Sequence, residues 1–269
     1  MSDVTGRTRI MFILADPVQH VRGSAFLNAH FRAHAIDAVC APLHVAPADL
    51  ETAVAAIRHT QNLSGFGCTI PHKVAIVPLL DRVTDRARTI GAVNFVKRMP
   101  DGTLVGDNLD AAGFIGALHA KGLSARGKRV LQIGAGGAGR ATAFALSQDG
   151  ARRIIIHNRD IRKAEQLAMD LRAANPDVDA QAGLGAAEDF DLVVNATSLG
   201  LKPEDALPVD VSRVGKGIVV YDIIANPPVT KLLAEAGRRG ATTIGGGAML
   251  DEQMSLVTEF VFGEQGNAC

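Results

Sequence analysis

The sequence predicts an α/β protein: an N-terminal α/β domain, a dinucleotide-binding Rossmann domain, and a C-terminal helix that returns to the first. Apolar runs bounded by turn signals alternate with helical patterns almost from end to end. A second alternating series opens on a glycine-rich turn set between a strand and a helix. In the first series "RIMFIL" (9–14), "AVCAPLHV" (38–45) and "GFGCTI" (65–70) read as strands. "SAFLNAHFRAHA" and "APADLETAVAAIRHT" read as helices between them, the second with Pro47 and Asp49 near its start. Strands joined by helical crossovers pair in parallel. Pro100-Asp101-Gly102 then separates two β-prone runs, which predicts a hairpin over 92–106. "LDAAGFIGALHAKG" reads as a helix closed by Gly122. The second series runs from "GKRVLQIGAGGAGRATAFAL" through "RRIIIH", "DFDLVVN" and "KGIVVYDII" to "ATTIGGG", and "AMLDEQMSLVTEFVFG" has helical spacing. The expected boundaries are 1–108, 109–245 and 246–269.

Bulk composition excludes several classes. The chain has 269 residues, enough for one large or two modest cores. Lys+Arg 28 balances Asp+Glu 28, so no cationic surface is offered to nucleic acid or to an anionic membrane. No apolar run approaches the roughly 20 residues needed to span a bilayer. The opening "MSDVTGRTRIMFILAD" has too short an apolar run and too acidic a flank for a signal peptide. The three cysteines show no ligand spacing, so neither a metal site nor a disulfide framework is expected, and a reducing cytoplasm fits. The partner expected is a small molecule; the sequence is compatible with a homodimer and leaves the oligomeric state open.

The glycine-rich turn carries the first functional reading. Gly134-x-Gly136-x-x-Gly139 alone is a weak pattern, but here a strand precedes it, a helix follows, and a further strand completes a βαβ unit. Gly134 permits the tight turn, Gly136 admits a pyrophosphate to the backbone, and Gly139 lets helix and strand pack closely. The stretch Gly134, Ala135, Gly136, Gly137, Ala138 and Gly139 is therefore the expected phosphate cradle, backed by the N-terminus of the helix. Cofactor choice lies at the end of the next strand, "HNRD". Asn158 and Arg159 stand there, and Arg159 suits the 2′-phosphate of NADP, with Lys163 adding charge. Asp160 argues the other way, so NADP leads and NAD remains the alternative.

Seven stretches in order, "TIPHK", "GAVN", "GDNLDAAG", "IGAGGAG", "NATSLG", "YDIIANP" and "GGGAMLDEQ", resemble the shikimate dehydrogenase family over nearly the whole chain. The resemblance implies an NAD(P)-dependent oxidoreductase acting on a hydroxylated carbocycle such as shikimate or quinate, in aromatic amino acid biosynthesis. It implies that Lys73 is the catalytic lysine with Asp110 as its partner. Thr69, Asn94 and Gln253 would contact ring hydroxyls. Thr197, Ser198, Leu199, Ile223, Gly246 and Met249 would line the nicotinamide side. The segment "HVRGSAF" departs from the family's Ser-x-Ser-Pro pattern: Val21 and Gly23 replace both serines that hold the substrate carboxylate. Gly67, Leu109 and Ala225 are further departures. Arg22 or Ser24 is the candidate anion partner in that segment, although an arginine after a strand is more often solvated. Shikimate is expected to be a poor substrate on this account.

Oxidising an alcohol sends hydride to the cofactor and a proton to a base, and a lysine on a cleft wall suits that second task. The scattered histidines form no alternative constellation, and His72, adjacent to Lys73 and off its face, is read as structural or solvated. Pro71 is expected to set where the helix carrying Lys73 begins. Two other readings stay open: the same chemistry on a different substrate that lacks the usual carboxylate placement, and a nucleotide-binding sensor that has lost turnover.

Overall fold

The computed structural model describes residues 4–19 and 21–263, so the last six residues of the expected closing segment lie outside it. The chain divides into two compact units. One holds the residues up to Leu109 and those from Gln253 on; the other runs from Asp110 to Glu252.

The first unit alternates as its sequence predicts. β1 (Arg9–Ala15) leads to α1 (Gly23–Ala33), β2 (Ala38–His44), α2 (Leu50–Arg58), β3 (Leu63–Cys68) and α3 (His72–Ala75). β4 (Arg82–Val83) and α4 (Asp85–Ile90) follow, then β5 (Phe95–Arg98) and β6 (Leu104–Asp107). The sheet order is β2-β1-β3-β5-β6-β4. β1 pairs in parallel with β2 and β3, while β5 runs antiparallel to both β3 and β6. The β5–β6 hairpin turns at Pro100-Asp101-Gly102, where Gly102 takes a φ of 89° and Met99 N–H donates to the Thr103 carbonyl. The β4–α4 stretch is an addition to the expected elements. A two-residue strand and a six-residue helix carry too little periodicity to stand out. Local chemistry fixes α4 instead: the Thr84 hydroxyl accepts from Ala87 N–H at one end, and Gly91 in the left-handed region closes the other. Leu14, Val54, Ile57, Phe66, Val96 and Leu104 form the core between the sheet and α2. The strands pack closely at Gly65, where any Cβ would collide with the Val96 carbonyl across the β3–β5 pair.

The second unit is a parallel sheet of order β12-β11-β10-β7-β8-β9. It begins with α5 (Asp110–Ala120) and β7 (Arg129–Ile133), then α6 (Gly137–Gln148), β8 (Arg153–His157), α7 (Ile161–Ala174) and β9 (Asp179–Ala182). β10 (Leu192–Asn195), β11 (Val219–Asp222), α8 (Lys231–Arg238) and β12 (Thr242–Gly245) complete it, and α9 (Gly246–Phe262) follows directly. The central strands are apolar on both faces, as parallel strands covered by helices must be. This order reverses between β7 and β10, the switch point at which such sheets bind ligands. β9 escapes a pattern-based reading because "DAQA" is a short, half-polar edge strand.

α9 serves both units in turn. Its first residues lie against α5, where a Cβ on Gly116 would meet Glu252 at 3.2 Å. Its last residues close the first unit: Phe262 packs edge-on to Phe31 with ring centroids 5.6 Å apart, and the Arg9 guanidinium lies 4.2 Å above the Phe262 ring. The Lys97 ammonium donates to the Gly263 carbonyl at 2.8 Å.

A buried polar network ties the ends of β10 and β11. Asn195 and Asp222 are cross-strand partners, both fully buried. Asp222 Oδ1 accepts from Asn195 Nδ2 at 3.1 Å and from Ile224 N–H at 3.1 Å, and its Oδ2 accepts from the Thr230 hydroxyl at 2.7 Å. Asn195 Oδ1 in turn accepts from Thr197 N–H and from its hydroxyl, and Asn195 Nδ2 donates to the Leu199 carbonyl. Burial pushes the Asp222 carboxyl above the usual carboxylate range, outweighing the three hydrogen bonds that favour its charge. A raised native value means that stability is full below the unfolded carboxylate's range and falls as pH rises towards the native value. Asp222→Asn is therefore expected to fold as well as the parent at neutral pH and to lose that decline, because its amide keeps an acceptor for Asn195 and Ile224. Asp222→Ala strands three donors and is expected to cost ~3 kcal/mol. Denaturant titrations at several pH values check both.

Candidate active site

In the first unit, Thr69 and Asn94 lie at one end of the central strands β3 and β5. The ends of β1 and β3 run side by side: Thr69 N–H donates to the Leu14 carbonyl at 2.9 Å, and Asp16 N–H to the Ile70 carbonyl at 3.1 Å. The chain then turns through Ile70-Pro71, a cis peptide, and Pro71 caps the start of α3. Lys73 sits half-buried on this short helix. Its carbonyl accepts from Val93 N–H at 2.8 Å. On the other side His72, 1% exposed, donates from Nε2 to the Val45 carbonyl at 2.8 Å. His72 thus has a structural task, as its off-face position predicts. Its Nδ1 is buried with no hydrogen-bond partner among the described residues.

Asn94 lies at the same end of the sheet, where β5 begins opposite the end of β3. Cys68 N–H donates to the Asn94 carbonyl, and Asn94 Oδ1 accepts from Leu109 N–H at 2.7 Å. The approach to Asp110 is held by a second buried carboxylate, Asp107. It receives Thr84 Oγ1 at 2.6 Å, Arg86 through Nε and Nη2, and Asn108 N–H at 2.7 Å. Asn108 donates onward to the Ala92 carbonyl. Asp110 itself is buried as the first residue of α5 in the second unit, and Gln253 is buried on the part of α9 that belongs to the first. Arg22 is exposed at the start of α1, while Ser24 in its first turn is buried. Gly67 is small for a visible reason: a Cβ there would meet the Phe95 ring at 2.9 Å, so Phe95 fills that volume.

In the second unit, the glycine-rich turn fits a dinucleotide phosphate. Gly134 has φ 108°, and a Cβ on it would meet the Ala196 carbonyl at 2.6 Å, so β7 and β10 approach too closely for a side chain. A Cβ on Gly139 would collide with the Gly134 carbonyl. Gly136 is the opposite case: a Cβ would meet nothing within 4 Å, and no side chain caps the N-terminus of α6 behind it. Open space in front of uncapped helix N–H groups is what an anion needs. The turn is held from beneath by Gln132, which is fully buried and donates to the carbonyls of Gly134 at 3.0 Å and Gly139 at 2.7 Å. Thr142 fixes the other end of that amide at 2.9 Å. Gln132 was not singled out from the sequence, although a glutamine inside an apolar strand is the available signal.

Asn158 staples the end of β8 to this turn. Its Oδ1 accepts from Ala135 N–H at 3.1 Å, and its Nδ2 donates to the Asp160 carbonyl at 2.9 Å. Arg159 is exposed, as is Lys163 in the first turn of α7. Asp160 caps α7, accepting from Arg162 N–H at 3.2 Å. Thr197, Ser198 and Leu199 form the loop after β10 that Asn195 anchors, with Leu199 N–H donating to the Thr197 hydroxyl at 3.0 Å. Ile223 and Gly246 are brought together, since a Cβ on Gly246 would collide with the Ile223 carbonyl. Met249 is buried one turn further along α9. Asn195, Asp222 and Thr230 went unassigned at the level of sequence; the first two are polar residues that end apolar strands, and Thr230 is the N-cap of α8.

Among the described residues no group of three or more potential metal ligands occurs and no helix is long and apolar enough to cross a membrane. The Shikimate dehydrogenase substrate binding domain matches residues 13–96, and Shikimate / quinate 5-dehydrogenase matches residues 117–233. Shikimate dehydrogenase (NADP(+)) of Geobacter metallireducens is 42% identical over 93% of this chain and 90% of its own. The structure of shikimate 5-dehydrogenase from Thermus thermophilus in complex with NADP(H) and shikimate is 30% identical, with a TM-score of 0.85 over 96% of this chain and 94% of that one. The ligand-free 5-ketofructose reductase of a Gluconobacter species is 34% identical, with a TM-score of 0.84 over 97% and 95%. With both of its units matched in order and the likeness extending over nearly its whole length, the chain belongs to the shikimate dehydrogenase family.

Proposed function

We propose that the protein is an NADP-dependent dehydrogenase that interconverts shikimate, or a close hydroxylated relative, and the corresponding ring ketone. The observation that carries this reading is the open, uncapped phosphate cradle at Gly136 in a chain that also presents Lys73, Thr69 and Asn94 at one end of the first sheet. The curated relatives are named for the NADP-dependent shikimate reaction, which favours it over a sensor without turnover. Nicotinamide supplies the hydride chemistry when bound. Lys73 Nζ takes the hydroxyl proton on oxidation and returns it on reduction, and Asp110 orients the ammonium and balances its charge. Thr69, Asn94 and Gln253 hold ring hydroxyls. Gly134 to Gly139 cradle the pyrophosphate, Arg159 and Lys163 receive the 2′-phosphate, and Thr197 to Leu199, Ile223, Gly246 and Met249 face the nicotinamide. We place the enzyme in the cytoplasm, which its three unspaced cysteines support. A homodimer is compatible with the sequence, and light scattering reads it out.

Lys73→Ala is expected to lower turnover by at least ~100-fold while leaving NADP affinity within a few-fold of the parent, as loss of an acid/base group does. Steady-state kinetics paired with calorimetric titration checks this; near-parental turnover removes Lys73 from the chemistry.

The cradle separates a binding glycine from a packing glycine. Gly136→Ala adds a methyl where the protein has no neighbour, so its melting temperature should match the parent while NADP binds ~10-fold or more weakly. Gly139→Ala drives a methyl into the Gly134 carbonyl and should lose ~2 kcal/mol or more of stability. Equal stability losses in both variants would mean that Gly136 is a packing residue as well.

A carboxylate brought in without its hydroxyl partners forfeits about 3 kcal/mol, roughly 100-fold in kcat/KM. Restoring both serines, Val21→Ser with Gly23→Ser, should raise kcat/KM for shikimate towards that limit. The site tolerates the change: a Cβ at position 23 meets only the flexible end of Ile13, at 3.0 Å. Efficient shikimate oxidation by the parent would instead assign the carboxylate to Arg22 or Ser24.

A further inference from the structure

At the end of β8, the pairing of Asp160 with Arg162 has no role in the site described so far. Three cations, Arg159, Arg162 and Lys163, surround one acid, Asp160. Arg159 has no partner among the described residues, and its side chain is exposed. Asp160 occupies the region where an acid would take the ribose diol and select against a 2′-phosphate. It is not free to do so. Its Oδ1 accepts from Arg162 N–H at 3.2 Å and from Arg162 Nε at 3.3 Å, so backbone and guanidinium of one residue hold the same oxygen. The start of α7 adds its own partial positive charge. Asn158 fixes the backbone at both sides of Arg159, by Ala135 N–H and by the Asp160 carbonyl. The backbone that carries the acid is thereby stapled to the phosphate turn, and among the described residues Arg162 alone holds its carboxylate. Consistent with this, the Arg162 guanidinium beside it keeps the Asp160 carboxyl below the usual carboxylate range.

We infer that Arg162 is a positioning residue for cofactor choice: by neutralising Asp160 and holding it at the head of α7, it keeps the carboxylate from the ribose and lets Arg159 and Lys163 receive a 2′-phosphate. This rests on the nucleotide site proposed above. Arg162 acts through Asp160 and touches no nucleotide itself. Removing its side chain leaves the backbone cap but exposes a full negative charge where the 2′-phosphate arrives, and like charges at short range oppose binding. The effect is confined to the phosphorylated cofactor, because NAD brings no charge to that position.

The experiment is calorimetric titration of the full chain with NADP+ and with NAD+, for the parent, Arg162→Ala, Asp160→Ala and the double variant. Arg162→Ala should lower the NADP/NAD affinity ratio by about tenfold, chiefly through NADP, and the deficit should shrink at high salt as charge repulsion is screened. Adding Asp160→Ala should restore the ratio to within about threefold of the parent, since the residue through which Arg162 acts is gone. Failure of the double variant to recover would show that Arg162 meets the phosphate directly and would overturn the inference, as would equal losses for the two cofactors or no loss for either. If the parent binds neither dinucleotide, the nucleotide site itself is wrong, a result distinguishable from every other arm.

Discussion

In each sheet the strand beside one edge strand, β6 or β11, ends on a buried carboxylate with several donors aimed at it. Apolar strands can be dry along their length, but the chain must leave the sheet at their ends, and the loops there carry backbone N–H groups that water cannot reach. Asp107 answers this in the first unit by collecting Thr84, Arg86 and Asn108. Asp222 answers it in the second by collecting Asn195, Ile224 and Thr230. The two solutions differ electrostatically. Asp107 has a guanidinium partner, whereas Asp222 has neutral donors only, and its carboxyl is pushed up by burial. Both lie under the loops that carry candidate functional residues, so loop placement and strand termination are one problem in this fold.

Much of this was legible in the sequence because it depends on local periodicity or on glycine. The strands at 9–14 and 38–45, the hairpin around Pro100-Asp101-Gly102 and the βαβ unit at Gly134 to Gly139 each have a pattern that survives without tertiary context. What escaped is what long-range contact creates. Gln132 reads as an odd polar residue in an apolar strand until the two carbonyls it serves are in place. Asn195 and Asp222 are 27 positions apart, and only parallel register makes them neighbours. The short β4, α4 and β9 rest on capping and edge pairing, which hydrophobic spacing does not record.

The departures from the family pattern also acquire physical content. Gly67 and Phe95 form a volume exchange: a residue without a side chain on β3 accommodates a ring from β5. Val21 and Gly23 have no such compensation in polar groups. The nearest hydroxyl in the segment, Ser24, is buried on the face of α1 that also carries Leu27 and Phe31, and Arg22 is exposed. The polar inventory of that corner therefore differs in kind from the amides and the hydroxyl offered by Asn94, Gln253 and Thr69.

The division of α9 bears on how the chain is made. The second unit is one continuous stretch, so it needs no segment from elsewhere in the chain to complete it. The first unit is discontinuous. Its β-sheet emerges from the ribosome earliest, yet the surface formed by Arg9, Phe31 and Gly65 stays uncovered until Val261 and Phe262 arrive at the far end of the chain. Synthesis order and completion order are thus inverted, and the half that is born first carries exposed apolar surface through the production of more than a hundred residues of the other.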